Sequence, residues 1–385
     1  MIPVYYSARS LWARKLSTGV SVLGLTLVVF VFAAVLMLSR GVEAALRAGG
    51  RPDNVIVLRP GATSEIVSGV DRDALRALAA LPEIAAGPAG QPLLAGETVV
   101  LVALPRPGGA FINATARGVT PESWLLRPAV RVVEGRPPRP GTLEIAIGSA
   151  LIGRTPGATI GGELSFANAR WPVVGRLAAA GSAHESELWA DAARLAQAFD
   201  RPTPSSAIAR LRSPDLAPRF LATVESDPRF ALKAVPEDRF WSEQATDLST
   251  FIRILGLFVS VVFSGGAVLG AMITMYAQVA ARARELGMLR AIGFRGRSVL
   301  AAVVLESALL GLAGGFLGAL LAFLMRWVRI TTVNFQTFSE IRFGFTPTPG
   351  ILLAAVVFGL VMGLVGGLLP AVRAARLPVL EAVKG

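Results

Sequence analysis

Four stretches of this chain carry almost no charge, and each is long enough to cross a hydrocarbon layer. Gly19 to Leu38 runs without a charged residue. At about 1.5 Å per residue, twenty helical residues reach about 30 Å, one hydrocarbon core. Ile254 to Ala280 and Ile351 to Val372 are also charge-free, and Val299 to Met325 holds a single charge, Glu306. Any one run could be a buried helix of a large soluble core. Four of them, each above about 18 residues, select membrane spans instead. Composition agrees: 17% of the 385 residues are charged and 53% hydrophobic, where soluble chains carry about 25% charged residues. The first run is longer than the ~7–15 apolar residues of a cleavable signal, and no small-x-small site follows it at once. We read it as an uncleaved span.

The expected organisation is a membrane protein with four transmembrane α-helices and a large α+β extracytoplasmic domain between spans one and two. An amphipathic helix at 1–18 precedes the first span at 19–40. The interspan domain covers 41–250, the second span 251–280, and a hinge 281–298. The third span is 299–325, a short loop 326–349, the fourth span 350–372 and the tail 373–385. Lys and Arg in short flanks set orientation. Arg9, Arg14 and Lys15 precede the first span. The hinge holds Arg282, Arg284, Arg290, Arg295 and Arg297 against Glu285, and the tail holds Arg373, Arg376 and Lys384 against Glu381. These segments alternate correctly for one side, so both termini and the hinge are expected in the cytoplasm. Arg326, Arg329 and Arg342 in the short outside loop oppose this without reversing it. Leu11 and Trp12 suit an interfacial helix whose basic residues meet anionic headgroups; an ordinary positive flank explains them equally well.

The interspan segment is long enough for its own core. Asp53–Pro60 and Glu97–Pro105 read as strands, as do "TLEIAIGSALI" and "WPVVGRL". Asp71–Ile84 reads as a helix with Leu75, Leu78 and Leu81 on one face, and "DAARLAQAF" as a short one. Two lobes are expected, with 120–200 the more strand-rich.

The spans are rich in small residues at spacing four. Gly311 and Gly315, Gly314 and Gly318, Gly359 and Gly363, and Gly363 and Gly367 fit G-x-x-x-G, and span two adds Gly266 and Gly270. Without a Cβ, glycine lets helix backbones approach closely in lipid. This predicts tight packing, within the chain or across a dimer, and argues against a wide polar pore. Glu306 is the one ionisable residue well inside a span. An Arg partner or a structural hydrogen bond is expected there rather than a proton relay, because no other His, Lys or Asp lies in the spans.

Several chemistries are excluded. The net charge of +12 comes from scattered arginines, with no RNP-like run or zinc-finger spacing, so nucleic acid is not an expected partner; membrane lipids are. There is no cysteine. His184, the only histidine, sits in "GSAHESEL" and is expected on an exposed loop. One His without Cys makes no standard zinc site, so no metal is expected. No G-x-S-x-G elbow accompanies a serine, so no catalytic residues are assigned. No P-loop occurs, and only Lys15, Lys233 and Lys384 supply lysine; the chain is expected to be no ATPase by itself.

The hinge "ARARELGMLRAIGFRGRS" reads as a short helix. Leu286, Leu289 and Ile292 recur at spacing three with Met288 beside them, and arginines take the other faces. Gly293 is placed to end it, with Gly296 in the following turn. Such a helix can dock in a groove on a soluble partner; a plain basic loop would account for the arginines alone.

Thr274 to Leu324 resembles the FtsX/MacB-type permeases of ABC transporters. The pattern R-x-R-E-x-G-x-L-R-A-x-G is filled by Arg282, Arg284, Glu285, Gly287, Leu289, Arg290, Ala291 and Gly293. The tail is similar to the family's closing P-A-x-x-A-A-R-x-x-P segment, at Pro370, Ala371, Ala374, Ala375, Arg376 and Pro378. The resemblance implies a half-transporter in the bacterial inner membrane that dimerises with a like or unlike permease copy. It implies a separate cytoplasmic ABC ATPase, holding ATP and Mg, that docks on the hinge; Arg282, Arg284, Glu285, Leu286, Gly287, Leu289, Arg290, Ile292 and Gly293 are the expected coupling residues. No cofactor is expected in this chain. The layout is similar to DevC-like permeases and to the lipoprotein-releasing LolC/LolE type. The first expectation is export with a periplasmic adaptor and an outer-membrane protein. Lipoprotein release is second, FtsX-like signalling to a cell-wall hydrolase third, and a membrane-anchored binding protein without an ATPase fourth.

Overall fold

The computed structural model describes residues 15–227, 230–333 and 340–376. The expected helix at 1–14, with Arg9, Leu11, Trp12 and Arg14, lies outside the described residues, as does the tail beyond Arg376. Among the described residues four helices are long and apolar enough to cross a membrane. They are α1 (Lys15–Arg47), α6 (Glu237–Ala281), α8 (Gly296–Leu324) and α9 (Pro349–Arg376). The chain divides into two compact units. One gathers residues up to Arg40, Thr250–Val328 and those from Gly344 on; the other holds Gly41–Ser249 and Arg329–Phe343. Helices α1 and α6 contribute residues to both.

All four long helices pack together in the span unit. Leu25 and Val28 of α1 share a buried cluster with Met275 and Val279 of α6, Val303 and Leu310 of α8, and Met362 and Ala371 of α9. A second cluster joins Val29, Ala33 and Met37 to Ala319, Ala322, Ile351 and Ala355. Phe32 and Phe358 stack with ring centroids 4.3 Å apart, and the Ser21 and Thr274 hydroxyls lie 2.7 Å apart, linking α1 to α6. Helix α6 turns Ile254, Phe258, Val261 and Val262 outward. In an aqueous protein such a face would be costly; facing lipid tails it carries no such cost.

The other unit is α+β. Its strands are β1 (Asn54–Leu58), β2 (Leu94–Pro105), β3 (Phe111–Val119), β4 (Arg131–Gly135), β5 (Ile145–Gly148), β6 (Glu163–Phe166), β7 (Ala169–Ala178), β8 (Glu187–Asp191), β9 (Ser206–Arg210) and β10 (Lys233–Pro236). They form one path in the order β10-β1-β9-β2-β3-β8-β5-β7-β4, with β6 paired to β7. The pairs β3–β8 and β5–β7 are parallel and the others antiparallel.

Strand β2 divides the sheet into two halves. Its first residues, Leu94 to Glu97, pair with β9, and Thr98 to Pro105 pair with β3. Alternation along the strands then builds two cores. Val100, Val102 and Leu104 of β2 face the same way as Ile112, Ala114 and Ala116 of β3, and meet Ile145, Ile147, Trp171 and Leu188. On the other half, Val55, Val57, Ala207 and Ala209 pack against α2 (Arg72–Ala79) through Ala74 and Leu78, and against α5 (Ala217–Ser226) through Phe220 and Val224. In place of the two expected lobes, the domain is one compact unit whose sheet carries these two clusters and two smaller ones. Short helices α3 (Pro121–Leu126) and α4 (Ala192–Ala198) complete the layer; Asp191 caps α4 by accepting from the Arg194 N–H. The short segment after α8 forms a separate hairpin, β11 (Arg329–Val333) with β12 (Glu340–Gly344).

Candidate coupling site

The hinge contains helix α7 (Ala283–Ala291). Its end is a Schellman arrangement: the Gly293 N–H donates to the Arg290 carbonyl at 3.1 Å, and the Phe294 N–H to the Leu289 carbonyl at 3.1 Å. Gly293 has φ +107, a left-handed conformation that a side chain would strain. Helix α8 begins at Gly296, where the sequence reads as part of the turn before a span starting at 299, and a Cβ there would approach the Ala375 carbonyl to 3.0 Å. The hinge is therefore closed against the end of α9.

The stripe at spacing three splits. Leu286 is buried in the core shared by the four spans, Gly287 is buried beside it, and Leu289 packs on the same cluster. Ile292 stands 79% exposed with Met288 and Phe294. Arg284, Glu285, Arg295 and Arg297 are exposed and Arg290 half-buried. The exposed face is thus Met288, Ile292 and Phe294 amid arginines, and the inner face is the anchor. Phe294 was outside the expected set, because it follows the helix-ending glycine and breaks the periodicity.

Arg282 does not join the open face. Its guanidinium lies 3.0 Å from Glu306 of α8, with both side chains largely buried, and 3.5 Å from Glu285. The pair ties the start of the hinge helix to the third span, and it gives Glu306 the arginine partner that its position called for.

The span glycines sort by what they touch. A Cβ on Gly359 would fall 2.6 Å from the Gly315 Cα, and one on Gly363 2.7 Å from the Gly311 Cα. Helices α8 and α9 therefore meet backbone to backbone. Gly314 and Gly318 face Leu25 and Val29 of α1, and Gly367 faces the Ser307 side chain. Gly266 and Gly270, by contrast, have nothing within 4 Å. The glycine that brings α6 against α1 is Gly256, whose Cβ would meet Val35. No spacing motif marked it.

The interspan unit holds a buried charge cluster that sequence reasoning missed. Arg117 of β3 is 1% exposed. It donates to Glu65 at 2.9 Å from both terminal nitrogens, to Glu97 at 2.7 Å, and to Glu187 twice at 3.0 Å. All five of its N–H donors are used. Arg127 pairs with the same Glu97 and lies 3.5 Å from Glu237, and Glu237 accepts from Asn54 at 2.8 Å. Burial pushes the Glu97 and Glu187 carboxyls upward. Arg127 and Arg117 overcome this at Glu97 and hold it below the usual carboxylate range; Arg117 and His184 hold Glu187 well below it. These are fixed charges in a closed setting, suited to rigidity rather than to proton transfer.

His184 corrects the expectation of an exposed loop. It is 1% exposed, with Nδ1 3.1 Å from Glu187 and its ring edge-on to Trp241 and Trp189, centroids 5.6 and 6.0 Å away. Trp189, five residues on, and Trp241, near the start of α6, cover a segment whose own residues read as a polar turn.

Four apolar helices among the described residues, an α+β domain between the first two and a hinge helix between the second and third define a polytopic membrane protein. The MacB-like periplasmic core domain family matches residues 18–226 and the FtsX-like permease C-terminal family residues 257–379. The chain belongs to the MacB/FtsX-type permeases of ABC transporters. No curated protein matches it. Among solved structures, the extracellular domain of the noncanonical ABC-type transporter YknZ from Gram-positive bacteria is 13% identical at a TM-score of 0.36, over 47% of this chain and 99% of that one. The periplasmic region of MacB from Actinobacillus actinomycetemcomitans is 10% identical at 0.37, over 50% and 92%. A domain of a permease protein from Porphyromonas gingivalis is 14% identical at 0.31, over 48% and 87%.

Proposed function

We propose that this chain is the permease subunit of a bacterial inner-membrane transporter whose hinge binds a separate ABC ATPase. Both termini and the hinge lie in the cytoplasm. ATP and Mg are held by the partner, and its motion passes through the spans to the periplasmic domain. A second permease copy completes the assembly. The work done outside is export, with a periplasmic adaptor and an outer-membrane protein. The closely packed α8–α9 seam supports a route in which substrate is moved on the outer side rather than threaded between these two helices.

The observation that carries this reading is the two-sided hinge. Leu286, Gly287 and the Arg282–Glu306 pair fix it to the span core, while Met288, Ile292 and Phe294 stand exposed among arginines. Exposed apolar residues on a short anchored helix are costly in water and suit a partner's groove. Replacing Met288 and Ile292 together with Asp should abolish co-purification with the ATPase while membrane insertion is retained. Unchanged co-purification would remove the docking role. If an adaptor-free complex released lipoproteins to a soluble carrier, or activated a cell-wall hydrolase, export would give way to those readings with the hinge role intact.

A further inference from the structure

The hairpin β11–β12 lies in sequence between the third and fourth spans, yet it belongs to the interspan unit. Two polar contacts hold it there. Arg154 pairs with Glu340, both side chains less than a fifth exposed, and the Arg342 N–H donates to the Ser186 hydroxyl at 3.2 Å. Phe343 is buried beside them.

Ser186 ends a short 3-10 turn, Ala183–Ser186, that is itself rigidly built. The Glu185 carboxylate accepts from the Ala179 and Gly181 N–H groups at 2.9 Å. The strand residue Gly148 lies so close that a Cβ would fall 2.1 Å from the Glu185 carbonyl. Inside the turn, His184 packs on Trp241, near the start of α6. On another side its Nε2 lies 3.2 Å from where a Cβ on Gly49 would be, two residues past α1. One turn therefore touches the chain leaving the first span, the chain entering the second, and the strand leading from the third to the fourth.

We propose that the 183–186 turn is the joint that clips the segments from all four spans to the interspan domain, with β11–β12 as its clasp. Arg154, Glu340 and Ser186 are then positioning residues for the coupling. A domain tied only through α1 and α6 would leave the third and fourth spans, and the hinge pinned to them through Glu306, without direct purchase on it. This rests on the coupling reading above, and the test separates the two.

The natural chain has no cysteine, so Ser186→Cys with Arg342→Cys adds one defined pair. Its cross-linking in membranes is read without any ATPase. The clasp predicts that the pair links in most molecules. Arg154→Glu or Glu340→Arg alone should lower that yield several-fold, and the double charge swap should restore it. In chains without that pair, a fluorophore on Val133→Cys, an exposed site in the interspan domain, should respond when the partner ATPase receives ATP. Each single reversal should diminish that response several-fold, the swap should recover it, and ATPase co-purification should stay unchanged throughout. A poor link in the wild-type background, or reversals that weaken the link but leave the ATP response intact, would overturn the clasp. An ATPase that never bound the wild-type chain would sink the coupling reading instead, while the link yield still reported on the clasp.

Discussion

At the scale of single residues, Arg117 does the most to define the interspan domain. A guanidinium this buried is stable only because three carboxylates surround it, and those carboxylates tolerate burial through it together with Arg127 at Glu97 and His184 at Glu187. Replacing Arg117 with Met keeps much of the volume and removes the charge, leaving Glu65 and Glu187 without their guanidinium. Breaking one side of a buried ion pair costs about 3–5 kcal/mol, so the Arg117→Met chain should unfold far more readily than wild type in detergent, followed by tryptophan fluorescence, with the spans still inserted. A melting profile matching wild type would mean the cluster is solvated and dispensable. This cluster was not legible in the sequence. Its acids stand at 65, 97, 187 and 237, each amid ordinary neighbours, and only the folded domain brings the first three to Arg117 and Glu97 and Glu237 to Arg127. His184 was opaque for the same reason: its cover, Trp189 and Trp241, comes from a strand and a helix that the local turn does not foretell.

At the scale of elements, the spans were readable because charge-free length is a property of contiguous residues, and β1, β2, β5 and β7 because each contains a short apolar run; β1 and β5 are buried along their whole length rather than alternately. Which side of an element faces inward was harder. Spacing marked one face of the hinge helix, but Leu286 and Leu289 turn toward the bundle while Met288 and Ile292 turn out. Glycine spacing was likewise informative without being decisive. The Gly311–Gly363 and Gly315–Gly359 contacts sit in a backbone-to-backbone seam, whereas Gly266 and Gly270 touch nothing in this chain. The difference is testable. Gly359→Val should overpack the α8–α9 seam and lower the thermal stability of the detergent-solubilised protein, by about 1–3 kcal/mol if the helices shift as overpacked cores do. Gly270→Val should leave the melting of a single chain nearly unchanged. Equal effects would show that the seam does not depend on close approach.

At the scale of the whole molecule, under the proposed function the parts act as a transmission driven by a partner ATPase: an anchored hinge, a packed span bundle and an interspan domain stiffened by buried charge. The order of these parts was visible in the sequence as alternating apolar runs and arginine-rich flanks. An arginine partner for Glu306 was expected, but not that it would be Arg282; the contact of Ser186 with Arg342 was not legible, since neither residue's neighbours in sequence give a sign of the other. The most direct measurement uses spin labels on Ala281→Cys, beside the hinge, and Val133→Cys, in the interspan domain. In membranes with the partner ATPase, ATP should change the distance distribution between them, and the Met288→Asp, Ile292→Asp hinge should abolish that change. A distribution indifferent to ATP, or one that still shifts when the hinge cannot dock, would contradict the account.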